Sequence, residues 1–553
     1  MKKILIINLR KLGDVFSTAH LINSLSKEGN THISLLTYKE SARAAHCIKN
    51  VNEVFEIDRK EIITLKTNKL FSDSFALEQL FKQLEKITNE SWDQIINYSN
   101  DTVGAYVTSY LRKDSSMITG VHFNDQRNIV TQNDWELVFN DVLPQVRYSP
   151  IHFVDCYHKM SGAAPHREGF KVITNPRHNE TAFLNFQELR RGHGGNENQT
   201  KIIGIQLKTA DQTKDIPLDT LHKLYELIKK NSEIIPCLLI APNDEERQIA
   251  TEFNSHHNDE VIIVEADLNA IASVLLNLDL LVSPDTSIKH IANLTETPVL
   301  EISLGYAPFL KQGSYAKDTL VLTDSIINRS FKKNSFSRPT LITANDIMAT
   351  ILYSLSITKT VKPRLSEGVT LYQAQLDELG ITYNPIAGSI DTSVELQRMA
   401  SRQLLHQMLD SSSESFTNID LNKINKNEAQ EWINKEKSDV TFVMRDLLGT
   451  LRSLLQCAES KKSTREFIAS LDKILSNIDK QTLVQIPSIL FKTKIEAINA
   501  KTFDENTKEI ESLLYKLKSD MQKLLQCLIA IESQLSASKV EDMVSRTHES
   551  IRN

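Results

Sequence analysis

The first twenty-five residues, MKKILIINLRKLGDVFSTAHLINSL (1–25), place an apolar run, a glycine turn and an amphipathic stretch in that order. The run at residues 4–9 is short. Charge returns at once with Arg10 and Lys11, and no small-residue cleavage site follows, so the stretch reads as a β-strand rather than a leader peptide. Gly13 permits a tight strand-to-helix turn. Residues 17–25 then carry the periodicity of an amphipathic helix. Similar short apolar runs recur at 33–38, 54–57, 95–98 and 117–121. After a polar, Gly-rich break at 190–195 they restart at 202–207, 234–241, 261–264, 278–282, 299–302 and 320–322. Helix-like stretches such as 218–230 and 271–277 lie between them. Continuous apolar strands alternating with helices imply parallel sheets covered on both faces. The restart implies two α/β domains, 1–185 and 196–355, facing one another. Ligands of such sheets bind beyond the carboxyl ends of the strands, which makes the cleft between the domains the expected site.

The rest of the chain differs in its punctuation. Of 16 glycines and 14 prolines, only Gly449 and Pro487 fall after residue 388. Without these breakers the sequence is free to form long helices. Apolar residues at Ile510, Leu513, Leu517, Met521, Leu524, Leu528, Ile531 and Leu535 step by three and four. Val440, Val443, Leu447, Leu451, Leu454 and Ala458 repeat the pattern, as do Phe467, Leu471, Ile474 and Ile478. These stripes predict a helical bundle over 390–553, with a boundary near 355–395 and a loose Ser- and Asn-rich connection at 410–427. The 553 residues are 41% hydrophobic and 24% charged, an ordinary globular mixture with a net charge of −6. That charge argues against nucleic acid as the main partner. Five widely spaced cysteines argue for a reducing compartment, and no run approaches the length of a membrane span. Together these predict a cytoplasmic protein.

Four segments end strands of the two α/β domains and are placed to carry chemistry. In Leu12-Gly13-Asp14, the carboxylate of Asp14 sits in a first helical turn beside the cleft, where it can accept a proton from an acceptor hydroxyl. The same position also suits plain complementarity with the helix dipole. The segment 283–290 (SPDTSIKH) opens a helix. Its free N–H groups suit a phosphate, with Lys289 and His290 adding charge or hydrogen bonds; Asp285 or Thr286 can equally be a structural N-cap. The loop 208–217 (KTADQTKDIP) brings two lysines, Lys208 and Lys214, to a strand's end. It can hold a diphosphate or be a solvated loop. In the segment 303–308 (SLGYAP), Gly305 allows backbone to approach a ligand, or simply makes a turn. No metal site is expected. There is no H-E-x-x-H or C-x-x-C, and His256-His257 and Cys156 near His158 lack further ligands at diagnostic spacing. Nor is there a G-x-G-x-x-G, a Walker loop or a G-x-S-x-G elbow.

The order of these pieces resembles one family. Strand–LGD–helix at the start, a K-x-[aromatic or apolar]-P loop after the first strand of the second domain, and D-[ST]-x-x-x-H followed by TPV form one series. In that series the chain resembles glycosyltransferase family 9, the ADP-heptose:lipopolysaccharide heptosyltransferases, over roughly residues 1–355. The resemblance implies an α/β GT-B fold of two Rossmann-like domains, followed here by an all-α helical bundle. It implies a metal-independent, inverting glycosyltransferase needing no cofactor, its nucleotide-sugar (ADP-heptose in the family) being a co-substrate. The sugar, heptose or a related one, goes to a glycan, lipopolysaccharide-core or protein acceptor. Asp14 matches the family's general base. Lys214 matches the Lys of K-x-W-P, which contacts the diphosphate and steadies the leaving nucleotide. Thr209 lies where the family has small hydroxyl residues near phosphate. Asp285, Thr286 and His290 match D-[ST]-G-x-x-H, which touches the donor, and Gly305 matches the Gly of F-G-P-T. With Gly13, Lys208 and Ser287 these complete the expected donor-binding set.

The chain also departs from the family pattern. Ser287 replaces the Gly of D-[ST]-G, Ile216 the Trp of K-x-W-P, and Tyr306-Ala307 the Pro-Thr after the glycine. Arg10, Lys11 and Leu12 stand where the family has small hydroxyl residues. These departures keep a rival in view: a non-catalytic nucleotide-sugar-binding scaffold acting through its helical tail. A third reading is a GT-B sugar-nucleotide epimerase, which would form product without an acceptor. The tail itself reads as a self-contained bundle, or as an oligomerisation or docking element. As a docking element it would bring the enzyme to its acceptor as a peripheral protein at the inner face of the inner membrane. Arg112 and Lys113 are the loosely placed candidates for acceptor contacts.

Overall fold

A computed structural model describes the chain except residues 68–71, 147, 194–199, 305–307, 325–339, 358–360, 411–423, 460–463, 501 and 553, with the backbone alone for 538–552. The residues form two compact units, Met1–Gln132 with His152–Ser389, and Asn133–Ile151 with Ile390–Asn553.

The first unit holds two sheets. Strands β1 (Lys2–Asn8), β2 (Thr31–Tyr38), β3 (Glu53–Ile57), β4 (Gln94–Asn97) and β5 (Met117–Thr119) pair in the order β3-β2-β1-β4-β5, every pair parallel. Parallel neighbours need crossover connections, and the intervening helices supply them. The opening apolar run explains the centre of this sheet. Ile4, Leu5, Ile6 and Ile7 are all buried, because β1 has a neighbour on each edge and side chains packed on both faces. One face gathers Leu5, Ile7, Leu36, Phe55, Leu84 and Trp92 into a core. A two-strand ribbon, β6 (His122–Phe123) and β7 (Ile129–Val130), follows.

The second sheet has eight strands. They are β8 (Lys201–Gln206), β9 (Ile234–Ile240), β10 (Ile262–Glu265), β11 (Leu280–Ser283), β12 (Val299–Ser303), β13 (Leu320–Asp324), β14 (Val369–Asp377) and β15 (Gly380–Gly388), in the order β10-β9-β8-β11-β12-β13-β14-β15. The first six are parallel. The last two form an antiparallel hairpin that extends the sheet beyond β13. This α/β arrangement, with a helical C-terminal region, is the expected fold class.

The hairpin is more than an edge. Its turn ends at Gly380, which has φ +105° and lies so close to Asp155 that a Cβ there would sit 2.0 Å from the carboxyl carbon. The Asp155 carboxylate accepts from Ile381 N (2.8 Å), Tyr315 Oη (2.5 Å) and Arg167 Nη2 (3.0 Å). One buried carboxylate thus joins the helix Phe153–Ser161, the segment after helix Phe309–Gln312, and the hairpin.

In the second unit, the helices Thr392–Leu409, Lys426–Glu459, Thr464–Leu475, Gln485–Glu496 and Phe503–Arg552 carry the apolar stripes of the sequence inward. Val440, Val443, Leu447, Leu517, Met521, Leu524, Leu528, Ile531 and Leu535 are buried. The short segment Asn133–Ile151 lies with these helices. Lys494 Nζ pairs with Asp134 at 2.7 Å, Arg402 Nη1 donates to Pro150 O at 3.0 Å, and Trp135 Nε1 donates to Asp410 at 3.3 Å. Most of the expected connection at 410–427 lies outside the described residues. All five cysteines are buried thiols.

Candidate active site

Each sheet reverses its strand order once, β1/β4 in the first and β8/β11 in the second, and the site residues gather at the carboxyl ends of these strands. At the first crevice, Leu9 N donates to Ser99 Oγ (2.6 Å) and Arg10 Nη1 donates to Asn100 Oδ1 (2.7 Å). At the second, Gln206 spans the gap. Its Oε1 accepts from Ser283 Oγ (2.7 Å) and from Thr286 Oγ1 (2.6 Å), and its Nε2 donates to Lys208 O (3.0 Å).

Thr286 is the N-cap residue of helix Ser287–Leu294, yet its hydroxyl is turned to Gln206 and makes no capping bond. Ser287 is the first helical residue. Asp285 does not cap either. Its carboxylate lies between Lys214 Nζ (2.6 Å), Lys289 Nζ (2.7 Å) and Gln312 Nε2 (3.2 Å). Lys289 is wholly buried and also reaches Glu301 Oε1 (3.1 Å) and Gln312 O (3.0 Å), while Ser314 N donates to Glu301 Oε2 (2.7 Å). Burial works against the charge of Asp285. Lys289 and Lys214 outweigh it and hold the carboxyl well below the ordinary carboxylate range. Glu301 goes the other way: burial raises it, and Lys289 only partly offsets that. Two carboxyls and two ammoniums therefore form one compact cluster.

The Lys214 loop is pre-formed. Asp211 Oδ1 accepts from Thr213 N (3.2 Å) and Thr213 Oγ1 (2.8 Å), fixing the turn Gln212–Lys214, while Asp215 accepts from Thr209 N (2.8 Å). Thr209 Oγ1 donates to Asp211 O (2.6 Å). Lys208 is placed differently, paired with Glu245 on the neighbouring helix Asp244–His256 rather than with the Asp285 cluster. Ile216 is part of the sheet's apolar core. Gly305 lies outside the described residues.

Asp14 faces this cluster. The helix Leu12–Ser17 packs on the helix Ser287–Leu294, and Gly13 meets the His290 ring so closely that a Cβ would stand 3.1 Å from its Cδ2. Ser17 Oγ donates to Gly13 O (3.0 Å) and meets His290 Nδ1 at 3.3 Å. With its proton spent on Gly13, the hydroxyl is free to accept from a proton on Nδ1. Burial, then Lys289, pushes His290 down to about 3, so the imidazole is neutral at pH 7. Asp14 keeps 29% of its side chain exposed, has Arg10 Nε at 3.8 Å, and has its backbone carbonyl held by Asn8 Nδ2 at 3.1 Å. Burial raises its carboxyl above the usual range; Arg10 opposes that and Asp285 adds to it. Lys311, on helix Phe309–Gln312, is lowered by burial and then by Arg10, while Asp14 raises it.

The structure thus brings together Gly13, Asp14, Lys214, Asp285, Thr286, Ser287 and His290. Gln206, Glu301, Gln312 and Lys311 were not singled out from the sequence. A glutamate inside the apolar strand VLEIS (299–303) was the available signal for Glu301. Arg112 pairs with Asp125, and Lys113 donates to Ser91 Oγ at 3.2 Å. Among the described residues no group of three or more His, Cys, Asp or Glu side chains could hold a metal ion.

Known proteins give this geometry a context. Residues 152–319 match the family model "Glycosyltransferase family 9 (heptosyltransferase)". The span contains Lys214, Asp285 and His290; Asp14 lies upstream of it. No curated protein matches the chain. Among solved structures, a family 9 glycosyltransferase from Veillonella parvula DSM 2008 aligns with a TM-score of 0.50 and 15% identity, over 65% of this chain and 98% of that one. ADP-heptose LPS heptosyltransferase II of E. coli aligns at 0.44 and 12%, over 65% and 100%. E. coli heptosyltransferase WaaC with ADP aligns at 0.43 and 15%, over 64% and 99%. The Veillonella structure shares the fold, the two-sheet α/β arrangement expected as GT-B, and residues 152–319 match the family 9 model that the motifs led one to expect.

Proposed function

We propose that the chain is an inverting, metal-independent glycosyltransferase. It transfers a heptose or related sugar from a nucleoside-diphosphate donor to a hydroxyl of a glycan, lipopolysaccharide-core or protein acceptor. One observation carries the reading: a carboxylate of the first lobe, Asp14, faces the Lys214–Asp285 cluster and an uncapped helix N-terminus of the second, across the contact of Gly13 with His290.

The chemistry follows from that placement. Asp14 accepts the proton of the acceptor hydroxyl as its oxygen bonds to the anomeric carbon. The bond from that carbon to the diphosphate oxygen breaks on the opposite face, and the nucleotide leaves with the electron pair. Lys214 and the N–H groups after Thr286 stabilise the charge on the departing diphosphate. Such fixed donors are worth on the order of 3 kcal/mol each. Neutral His290 supports the contact without adding a competing cation. Asp285 orients Lys214.

No helix among the described residues is long and apolar enough to cross a membrane. The helical unit would pack as a self-contained bundle, dock the enzyme at a membrane-bound acceptor or join copies of it. Calorimetry against a panel of nucleotide-sugars, followed by transfer assays and NMR of the product anomer, tests the reading. Binding, turnover and inverted product are expected. Binding without turnover for every acceptor would favour the scaffold, and product without acceptor the epimerase.

A further inference from the structure

We propose that Arg10 is a positioning residue for Asp14: its guanidinium, anchored by Asn100, keeps the Asp14 carboxylate ionised and turned toward the second lobe. This rests on the proposed role of Asp14 as base.

Three observations carry it. Arg10 is fixed from two sides, its Nη1 donating to Asn100 Oδ1 at 2.7 Å and its carbonyl accepting from Ser41 Oγ at 3.0 Å. These partners come from the segments after β4 and β2: Ser41 holds the backbone from which the side chain springs, and Asn100 holds the guanidinium. Its Nε stands 3.8 Å from Asp14 Oδ2, one helical turn away in sequence. Finally, the pair is part-exposed, 39% and 29% of the two side chains. Such pairs add little stability. A fixed pair that does little for the fold, at the mouth of the site, is better understood through the charge it controls.

That charge has several neighbours. Arg10 and Lys11 lie on the approach to its own helix. Asp285 and His290 face it from the second lobe, Lys311 from the helix Phe309–Gln312, and Tyr157 from the helix Phe153–Ser161. Burial and Asp285 favour the protonated acid; Arg10 is the largest influence against it. A base must be unprotonated to act. Removing Arg10 therefore moves the titration of Asp14, and with it the acid limb of turnover, to higher pH.

The experiment compares wild type, Arg10→Ala and Arg10→Lys. Difference infrared titration follows the Asp14 carboxyl band, assigned by its loss in Asp14→Asn, and kcat is measured against pH. In Arg10→Ala the carboxyl should titrate at higher pH, with kcat on the acid limb falling on the order of tenfold and recovering at alkaline pH. Arg10→Lys should restore much of both, and donor KM and thermal midpoint should stay near wild type. An unmoved Asp14 titration in Arg10→Ala overturns the proposal. So does a fall in kcat by the same factor at every pH. The infrared readout needs no turnover, so a protein that proves inactive throughout contradicts the proposed function without deciding the Arg10 question, which the titration decides alone.

Discussion

Lys289 shows how one residue can look functional and be structural. Its place beside His290 in a phosphate-suited turn made it a candidate for donor charge. In the structure its ammonium is fully enclosed by Asp285, Glu301 and the Gln312 carbonyl. Lys214, not Lys289, is the cation of the cluster with exposure to spare. Replacing Lys289 by Met leaves Asp285 to Lys214 and Gln312 but takes from buried Glu301 the ammonium it pairs with. Breaking a buried pair in this way costs about 3–5 kcal/mol. Chemical denaturation of Lys289→Met should show a loss of that size, and a variant as stable as wild type would contradict the enclosed geometry. The sequence reveals the type of such residues but not which way they point. Spacing places Lys289 one turn from Asp285; only the strand β12 passing beneath supplies Glu301.

Elements were legible where periodicity is strong and local. The apolar runs around 4–9, 33–38, 202–207 and 234–241 appear as buried parallel strands, and the stripes of 440–458 and 510–535 appear as buried helix faces. The hairpin β14–β15 was not legible. Its turn lacks an Asn-Gly or Asp-Gly pair, and Pro385 speaks against a central strand. The proline is tolerated because β15 is the sheet's last strand. The segment instead read as a boundary. Besides its pairing with β13, the hairpin is secured by a non-local partner, the carboxylate of Asp155. Asp155→Ala would leave the Ile381 N–H and the Tyr315 hydroxyl without their acceptor. It should destabilise the first unit by about 3 kcal/mol. A thermal midpoint within a degree of wild type would show that the network is dispensable.

At the scale of the whole molecule, two α/β sheets meet through the helices Leu12–Ser17 and Ser287–Leu294, and the site lies where they touch. Separate motifs named its members, and their order named the fold. Distances between them were not in the sequence, because residues some 200–270 positions apart are joined only by tertiary packing. The gathering of Asn133–Ile151 with the C-terminal helices has the same origin, since nothing in local periodicity marks a short segment for a distant partner. The proposal that Asp14 and the Lys214 cluster work on one sugar from opposite lobes is tested by transfer in Asp14→Asn, measured beside calorimetric binding of the nucleotide donor. Nucleotide affinity should stay near wild type, with kcat reduced by roughly 10²–10⁴-fold. Turnover at the wild-type rate in that variant would contradict it.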